Sequence, residues 1–197
     1  MVPTIHRLHD PGKSFEARRD LLFVGNYAHR PNSDAVHFFM REIFPVVRQS
    51  LPEAKVFIVG DNASEQFLAY RSEQVQITGY LPDIDPLLQG CRVFVAPLRF
   101  GAGVKGKVGE AMSYGLPVVT TSIGAEGFGL LNEWSAMIAD DPQAFAAAIV
   151  RLYSEKELWQ CLAQNSRQHL AENFTPEVIA KTINNSIKEV SGARHNQ

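Results

Sequence analysis

The sequence predicts a doubly wound α/β domain, in which a parallel β-sheet is covered by helices on both faces. Short runs of β-branched and apolar residues alternate along the chain with segments of helical periodicity, and this alternation is typical of parallel sheets. The runs are almost continuously apolar, which indicates strands buried on both faces. With 197 residues and 45% hydrophobic side chains, the chain is long enough to fill one such core.

Six segments are predicted to form the strands of this Rossmann-like sheet. In chain order they are residues 21–25, 55–60, 75–79, 92–97, 117–120 and 136–139. Ligands of open parallel sheets bind beyond the carboxyl ends of the strands. The loops that directly follow strands are therefore the candidate binding loops.

Two helices are predicted from apolar residues at helical spacing. The stripes are Val36, Phe39, Ile43 and Val47 in the first, and Ile179, Ile183, Ile187 and Val190 in the second. Asn32 or Ser33 is expected to cap the first helix, and Pro45 is expected to kink or break it. Such stripes are typical of core packing, although the second can instead cover another domain.

We expect the folded domain to span residues 21–190. Residues 1–20 are polar, contain proline and lack a periodic pattern, so they are interpreted as a lead-in outside the core. Residues 191–197 are interpreted as a frayed tail.

Composition excludes several classes of protein. The net charge of -2 combines 19 basic with 21 acidic side chains and includes no long basic run, so we expect no nucleic-acid partner. The two cysteines, Cys91 and Cys161, suit neither a disulfide framework nor a zinc site, and they favour a reducing cytoplasm. No apolar run approaches the roughly 20 residues of a membrane span.

The loop after the first predicted strand is the first candidate site. Gly25 allows close backbone approach, and the helix that follows presents free N–H groups that suit a phosphate. Asn26 lies beside it, and Arg30 can add a charged fork. The alternative is an ordinary turn with an exposed arginine, and His29 is more typical of a solvated loop histidine.

The strongest candidate is the glycine-rich loop between residues 97 and 106, which follows the fourth predicted strand. Gly101, Gly103 and Gly106 free the backbone to curl around an anion, while Lys105 and Lys107 supply positive charge where a helix begins. Diphosphate binding is the natural interpretation. The alternative is a flexible basic surface loop.

A nucleoside triphosphatase P-loop is a further alternative for this segment. Residues 101–107 match the pattern Gly-x4-Gly-Lys, but the next residue is Val108. A P-loop needs serine or threonine there to bind magnesium. The sequence therefore argues against this class of enzyme.

Glu110 follows Lys107 by three residues, so both side chains project from nearly the same face of a helix. A carboxylate one turn into a helix that binds a diphosphate is placed to accept hydrogen bonds from ribose hydroxyls. A surface ion pair with Lys107 is the alternative. If the ribose interpretation holds, the ligand is a nucleotide rather than plain phosphate.

At these residues the sequence resembles the C-terminal domain of GT-B fold glycosyltransferases of group 1, family 4. The resemblance covers about residues 21–174 and depends on the order of its landmarks. They are Phe23-Val24-Gly25, Pro31-Asn32-Ser33-Asp34-Ala35-Val36, Ile58-Val59-Gly60, Val95-Ala96-Pro97 and the ten residues from Glu110 to Val119.

The resemblance implies a donor-binding domain for a nucleotide diphosphate sugar. It implies that Glu110 binds ribose, that Arg30 and Lys105 or Lys107 bind the diphosphate, and that the base lies against Tyr80 and Leu81. By this resemblance the reaction retains anomeric configuration, and we expect neither a metal nor a cofactor beyond the donor.

The resemblance also implies an N-terminal acceptor domain, which we expect to be the partner of this domain. Any peripheral contact with a membrane is expected only through that N-terminal domain. Val2-Pro3 is similar to the connection between the two domains. This chain alone is then expected to be inactive. A GT-B sugar-nucleotide epimerase and a non-catalytic nucleotide-binding module are the alternatives.

The sequence departs from the family pattern at one acidic position. Many relatives have a glutamate eight residues before the ribose glutamate, where this chain has Ala102, or Gly101 if the loop is longer by one residue. The contact of that glutamate with the donor sugar is thus in doubt here. The string from Glu126 to Gly129 is similar to the usual motif but follows a later strand, with Trp134 eight residues after Glu126. It is interpreted as a loop, and the alternative is that it lines the cleft.

Overall fold

The computed structural model describes residues 4–61 and 63–193, with the side chains of the last helix described through residue 185. Its centre is a six-stranded, all-parallel sheet with the strand order β3-β2-β1-β4-β5-β6. The strands are β1 (Arg19–Val24), β2 (Val56–Val59), β3 (Val75–Thr78), β4 (Cys91–Ala96), β5 (Val118–Thr120) and β6 (Met137–Ile138). All six predicted strands and the doubly wound order are confirmed.

Nine α-helices within the described residues cover the sheet. They are α1 (Arg30–Phe38), α2 (Phe44–Ser50), α3 (Glu65–Leu68), α4 (Asp85–Gly90), α5 (Gly106–Ser113), α6 (Ser122–Ala125), α7 (Pro142–Ser154), α8 (Lys156–Asn173) and α9 (Pro176–Ala193). Among these helices, none is long and apolar enough to cross a membrane.

Successive residues of a strand point to opposite faces of the sheet, and each face has its own core. Leu21 and Phe23 of β1 pack in one cluster with residues of α1, α2 and α7. Leu22 packs in the other cluster with residues of α4 and α5. Every residue of β4 is buried, which explains why the strands read as unbroken apolar runs.

The first helix begins earlier than expected and is interrupted as expected. It starts at Arg30 with His29 as the capping residue, because Pro31 favours the first turn of a helix. Asn32, one of the two predicted caps, instead donates its side-chain amide to the Asn26 carbonyl at 3.0 Å. The interruption is a π-helical turn at Phe39–Ile43, after which α2 accommodates Pro45 in its first turn.

The prediction that residues 1–20 lie outside the core is wrong for the last three residues of this segment. Strand β1 already starts at Arg19, and the side chain of Arg18 is 1% exposed. Arg18 donates to the carbonyl groups of Lys13, Leu88, Cys91 and Tyr114 at 2.8 to 3.1 Å. Burial lowers its pKa to about 10, so it remains charged at neutral pH.

Residues 4–14, which we call the strap, lie along the surface of the domain. The backbone N–H of His6 donates to the Phe174 carbonyl at 2.9 Å, and that of Gly12 donates to the Tyr114 carbonyl at 3.2 Å. The ring of His9 stacks on Tyr114 with a centroid separation of 4.2 Å. The strap thus connects the end of α8 with the end of α5.

At the other end of the chain, α9 extends to Ala193, three residues into the predicted tail. Ile179 is buried, whereas Ile183 is 47% exposed, so the predicted stripe is only partly core. The side chains of Ile187 and Val190 and residues 194–197 lie outside the described residues.

Candidate functional site

Two adjoining cavities lie beyond the carboxyl ends of β1, β2 and β4, where the strand order switches sides. The acidic cavity, about 460 Å³, is lined by Asp61, Tyr80, Leu81, Asp83, Asp85, Glu110 and their neighbours. The basic cavity, about 250 Å³, is lined by His29, Asn32, Ala102, Val104, Lys105, Gly106 and their neighbours. Val24, Gly25, Asn26 and Lys107 line both cavities.

The floor between the cavities is backbone packed too closely for side chains. A Cβ atom at Gly25 would lie 2.8 Å from the side chain of Asn32, and one at Gly60 would lie 1.9 Å from the Gly25 carbonyl oxygen. The side chain of Asn26 accepts a hydrogen bond from the Ala28 N–H at 2.8 Å, which closes the turn. Packing against Asn32 therefore favours glycine at position 25, and the close approach of a phosphate to this backbone stays a prediction.

The structure does not place Arg30 in either cavity. Arg30 is exposed in the first turn of α1, whereas His29 beside it lines the basic cavity. A different arginine connects this helix to the glycine-rich loop. Arg99 forms an ion pair with Asp34 at 2.5 Å and lies over the ring of Phe38, a link that the sequence patterns did not indicate.

The glycine-rich loop curls around the ammonium group of one of its own lysines. Gly101 and Gly103 have positive φ angles of 116° and 86°, a conformation that favours glycine. Their carbonyl groups accept hydrogen bonds from Lys105 Nζ at 2.8 and 2.6 Å. Burial lowers the pKa of Lys105, while the charge of Glu126 opposes this shift. Lys105 thus organises the loop, and it also lines the basic cavity.

The first turn of α5 contains the ion pair that the sequence offered as an alternative. Lys107 Nζ lies 2.6 Å from Glu110 Oε2, and the two side chains are 51% and 32% exposed. Lys107 lines both cavities and Glu110 lines the acidic one. Val108 between them is 1% exposed in the core, so its position offers no ligand for a metal ion.

The far wall of the acidic cavity follows β3. Tyr80 is 73% exposed and Leu81 is partly buried, and both line the cavity. That a nucleotide base lies against them stays a prediction. Sequence reasoning missed Asp83 and Asp85, whose Asp-x-Asp spacing was the available signal. The Asp83 carboxylate accepts a hydrogen bond from the Asp85 N–H at 2.9 Å, which starts α4.

A third cavity lies where the strap meets α5. The strap cavity, about 430 Å³, is lined by His6, Arg7, His9, Gly106, Lys107, Glu110 and Ser113. Sequence reasoning missed its three strap residues because residues 1–20 have no periodic pattern. Glu110 therefore faces both the acidic cavity and the strap.

The segment from Glu126 to Gly129 packs against the outer side of the glycine-rich loop. Gly127 has a φ of 83°, and a Cβ atom there would lie 2.8 Å from Val104 Cγ2. Neither the segment nor Trp134 lines the acidic or the basic cavity. Trp134 instead packs edge-on against His169, with ring centroids 6.1 Å apart.

Comparisons with known proteins agree with this architecture. The chain is 26% identical over 199 residues to a putative glycosyltransferase, YtcC of Bacillus subtilis, in an alignment that covers 92% of this chain and 48% of that protein. The chain spans about half the length of YtcC, and 45% and 25% of two other curated relatives.

Solved structures share the fold at low sequence identity. A TarM mutant of S. aureus in complex with fondaparinux, α-GlcNAc-glycerol and UDP superimposes with a TM-score of 0.78 at 17% identity, covering 92% of this chain and 38% of TarM. The C-terminal domain of LpcC, a group 1 family protein from Francisella tularensis, superimposes with a TM-score of 0.64 at 16% identity, covering 85% of this chain and 89% of that domain.

The fold is thus that of the C-terminal domain of GT-B glycosyltransferases. The family model described as glycosyl transferases group 1 matches residues 18–155, which include β1 to β6, both cavities and α7. The chain therefore belongs to the group 1 glycosyl transferases.

Proposed function

We propose that this chain binds a nucleotide diphosphate sugar and that the protein transfers the sugar to an acceptor held by an N-terminal domain. The nucleoside occupies the acidic cavity and the diphosphate occupies the basic cavity. UDP is present in the TarM complex, which makes a uridine nucleotide the first ligand to test.

The pairing of the two cavities is the observation that supports this proposal most directly. The acidic cavity has four carboxylates and an exposed tyrosine in its lining, groups that accept hydrogen bonds from ribose hydroxyls and base N–H groups or stack on a ring. The basic cavity is lined by Lys105, Lys107 and the first turn of α5, where an anion is favoured. Because Lys107 and Gly25 line both cavities, one ligand can occupy them together.

In this proposal Lys105, Lys107, Arg30 and the N–H groups of α5 stabilise the negative charge of the departing diphosphate. Arg30 is exposed and lines neither cavity, so its role requires a rotation of its side chain. A metal ion is not needed for this charge stabilisation, and any catalytic base comes from the acceptor domain or from the phosphate of the donor.

Thermal shift and calorimetry with UDP, GDP, ADP and dTDP test the binding half of the proposal. We expect one base to raise the unfolding temperature and to bind with a one-to-one stoichiometry. A failure of all four nucleoside diphosphates to bind would contradict it.

The transfer half is tested with the matching sugar nucleotide. We expect the 197-residue chain alone to transfer no sugar, because one wall of a cleft neither excludes water nor positions an acceptor. Transfer at rates comparable to those of related enzymes would contradict the need for a second domain. Release of a free epimerised sugar nucleotide would favour an epimerase instead.

A further inference from the structure

The ring of His6 is seated on α5 at a position that only glycine allows. A Cβ atom at Gly109 would lie 2.4 Å from His6 Nε2 and 2.6 Å from Phe128 Cζ. A glycine inside a helix costs about 0.5–1 kcal/mol relative to alanine, and here it makes room for the imidazole. The backbone hydrogen bond from His6 to Phe174 fixes the ring in this place.

The buried nitrogen of this ring has no hydrogen-bond partner. Among the described residues, the side chain of His6 is one of two with a buried, unpaired polar atom, and that atom is Nε2. Native structures rarely leave such atoms unpaired without a reason. The unpaired Nε2 is buried on the side of the ring that faces Gly109. His6 also lines the strap cavity together with Lys107 and Glu110, so this residue belongs to the surroundings of the Lys107–Glu110 ion pair.

The charges around His6 come from three elements. Arg7 and His9 follow on the strap, and Lys107 and Glu110 line the same cavity from α5. His169 of α8 forms a hydrogen bond through Nε2 with the carbonyl group of Phe128, whose ring lies 5.6 Å from that of His6. Burial lowers the pKa of His6, while the charge of Glu110 opposes this shift. The imidazole is therefore neutral at neutral pH while Lys107 neutralises Glu110.

We propose that His6 is a positioning residue of the nucleotide site, which takes up a proton and stabilises the Glu110 carboxylate when Lys107 turns to the diphosphate. This inference rests on the proposed function. When the diphosphate draws Lys107 away, Glu110 loses its partner and further negative charge arrives beside the strap cavity. Both changes favour an imidazolium. The proton comes from solvent, and the charged ring then holds Glu110 in place for the ribose.

The sign of the resulting pH dependence follows from these charges. The pKa of His6 is lower without ligand than with it, so binding takes up a proton and is tighter at lower pH. Between the two pKa values, the dissociation constant rises by up to about tenfold per pH unit. At pH values below the pKa of His6 without ligand, or above its pKa with ligand, the dissociation constant no longer changes with pH through this residue.

Calorimetry in two phosphate-free buffers of different ionisation enthalpy, PIPES and imidazole, measures this proton uptake at pH 7. The probe is UDP-glucose, or the diphosphate sugar of the base selected above, because its diphosphate does not titrate in this range. We expect uptake of about half to one proton by the unchanged chain. His6→Gln, which keeps a polar amide but cannot titrate, should abolish the uptake and flatten the pH profile.

His9→Gln is the matched control, because His9 lines the same cavity but is exposed and stacks on Tyr114. This variant should keep the uptake. NMR titration of the histidine ring signals in the unchanged chain, with and without the probe, tests the same point without a variant and should show one histidine whose pKa rises on binding.

Uptake that persists in His6→Gln, or that disappears in His9→Gln, would overturn the inference. So would binding by the unchanged chain without any proton uptake, and that result would leave the proposed function intact. If no nucleotide binds at all, both proposals fail together.

Discussion

Lys107 and Glu110 form an ion pair of 2.6 Å at the point where the acidic and basic cavities meet. Their spacing of three residues places both on one face of α5. Without ligand each satisfies the charge of the other. In the proposed function a nucleotide that fills both cavities separates them, with phosphate replacing Glu110 and ribose replacing Lys107, so variants of either residue test the site directly.

Glu110→Gln should weaken nucleotide binding by about tenfold or more. The amide keeps one acceptor oxygen but loses the charge, and charge-assisted hydrogen bonds contribute about 1.5–3 kcal/mol. Calorimetry measures the loss, which should shrink strongly for a 2′,3′-dideoxy nucleotide. If Glu110 serves only as a surface partner of Lys107, affinity should stay equal or rise slightly with either nucleotide. That pattern, in a folded variant, would remove Glu110 from the site.

Lys107→Met should mainly affect nucleotide affinity, whereas Lys105→Met should mainly affect the structure of the glycine-rich loop. Lys107 forms its ion pair with one partly exposed carboxylate and is free to turn to a phosphate, so its loss should weaken diphosphate binding by about tenfold and reduce the dependence of affinity on salt. Lys105 bonds two carbonyl groups of its own loop. Its loss should weaken diphosphate binding less than the loss of Lys107 and should mainly speed amide hydrogen exchange in residues 101–106. Equal affinity losses with unchanged exchange would contradict this division of roles.

Nucleoside diphosphate binding should persist in EDTA. The lysines and the N–H groups of α5 replace a cation, and Val108 occupies the core where a P-loop would present a hydroxyl group. Calorimetry with and without magnesium should give dissociation constants within about threefold, a difference of less than 1 kcal/mol. An absolute requirement for magnesium would revive the P-loop interpretation.

Arg18→Met should lower the free energy of unfolding by about 2–4 kcal/mol, because four carbonyl bonds are lost and the acceptors stay buried. Urea unfolding measures this, with Arg48→Met as a control at an exposed position of α2. A cost below about 0.5 kcal/mol, the range of ordinary surface substitutions, would mean that the buried arginine is dispensable.

Gly109→Ala should destabilise the chain by about 1–3 kcal/mol, because the added methyl group overlaps His6 and Phe128. Gly106→Ala, at the start of the same helix, meets nothing within 4 Å and should be neutral or slightly stabilising. Part of the Gly109→Ala cost should disappear in a His6→Ala background. Additive effects in urea unfolding would show that the imidazole does not occupy that space.

Local patterns were sufficient for the fold and for the position of the main loops. Unbroken apolar runs predicted six strands because a parallel sheet is buried on both faces, and glycines with lysines after a strand predicted the loop at its carboxyl end. The spacing of Lys107 and Glu110 predicted a shared helix face. These features depend on residues close together in the chain, so periodicity reveals them.

The remaining features depend on contacts between residues far apart in the chain, to which local patterns are blind. Arg18 donates a hydrogen bond to the carbonyl group of Tyr114, which lies 96 positions later in the chain. Residues 1–20 have no periodic pattern from which a buried arginine could be predicted. Arg30 is exposed at the start of α1 and lines neither cavity, and Lys105 turns inward because its own loop offers carbonyl groups. The sequence alone determined the sheet and the edge at which ligands are expected to bind. Only the tertiary structure brought His6 against Gly109 and into the cavity that Glu110 lines, because this contact depends on packing between the strap and α5.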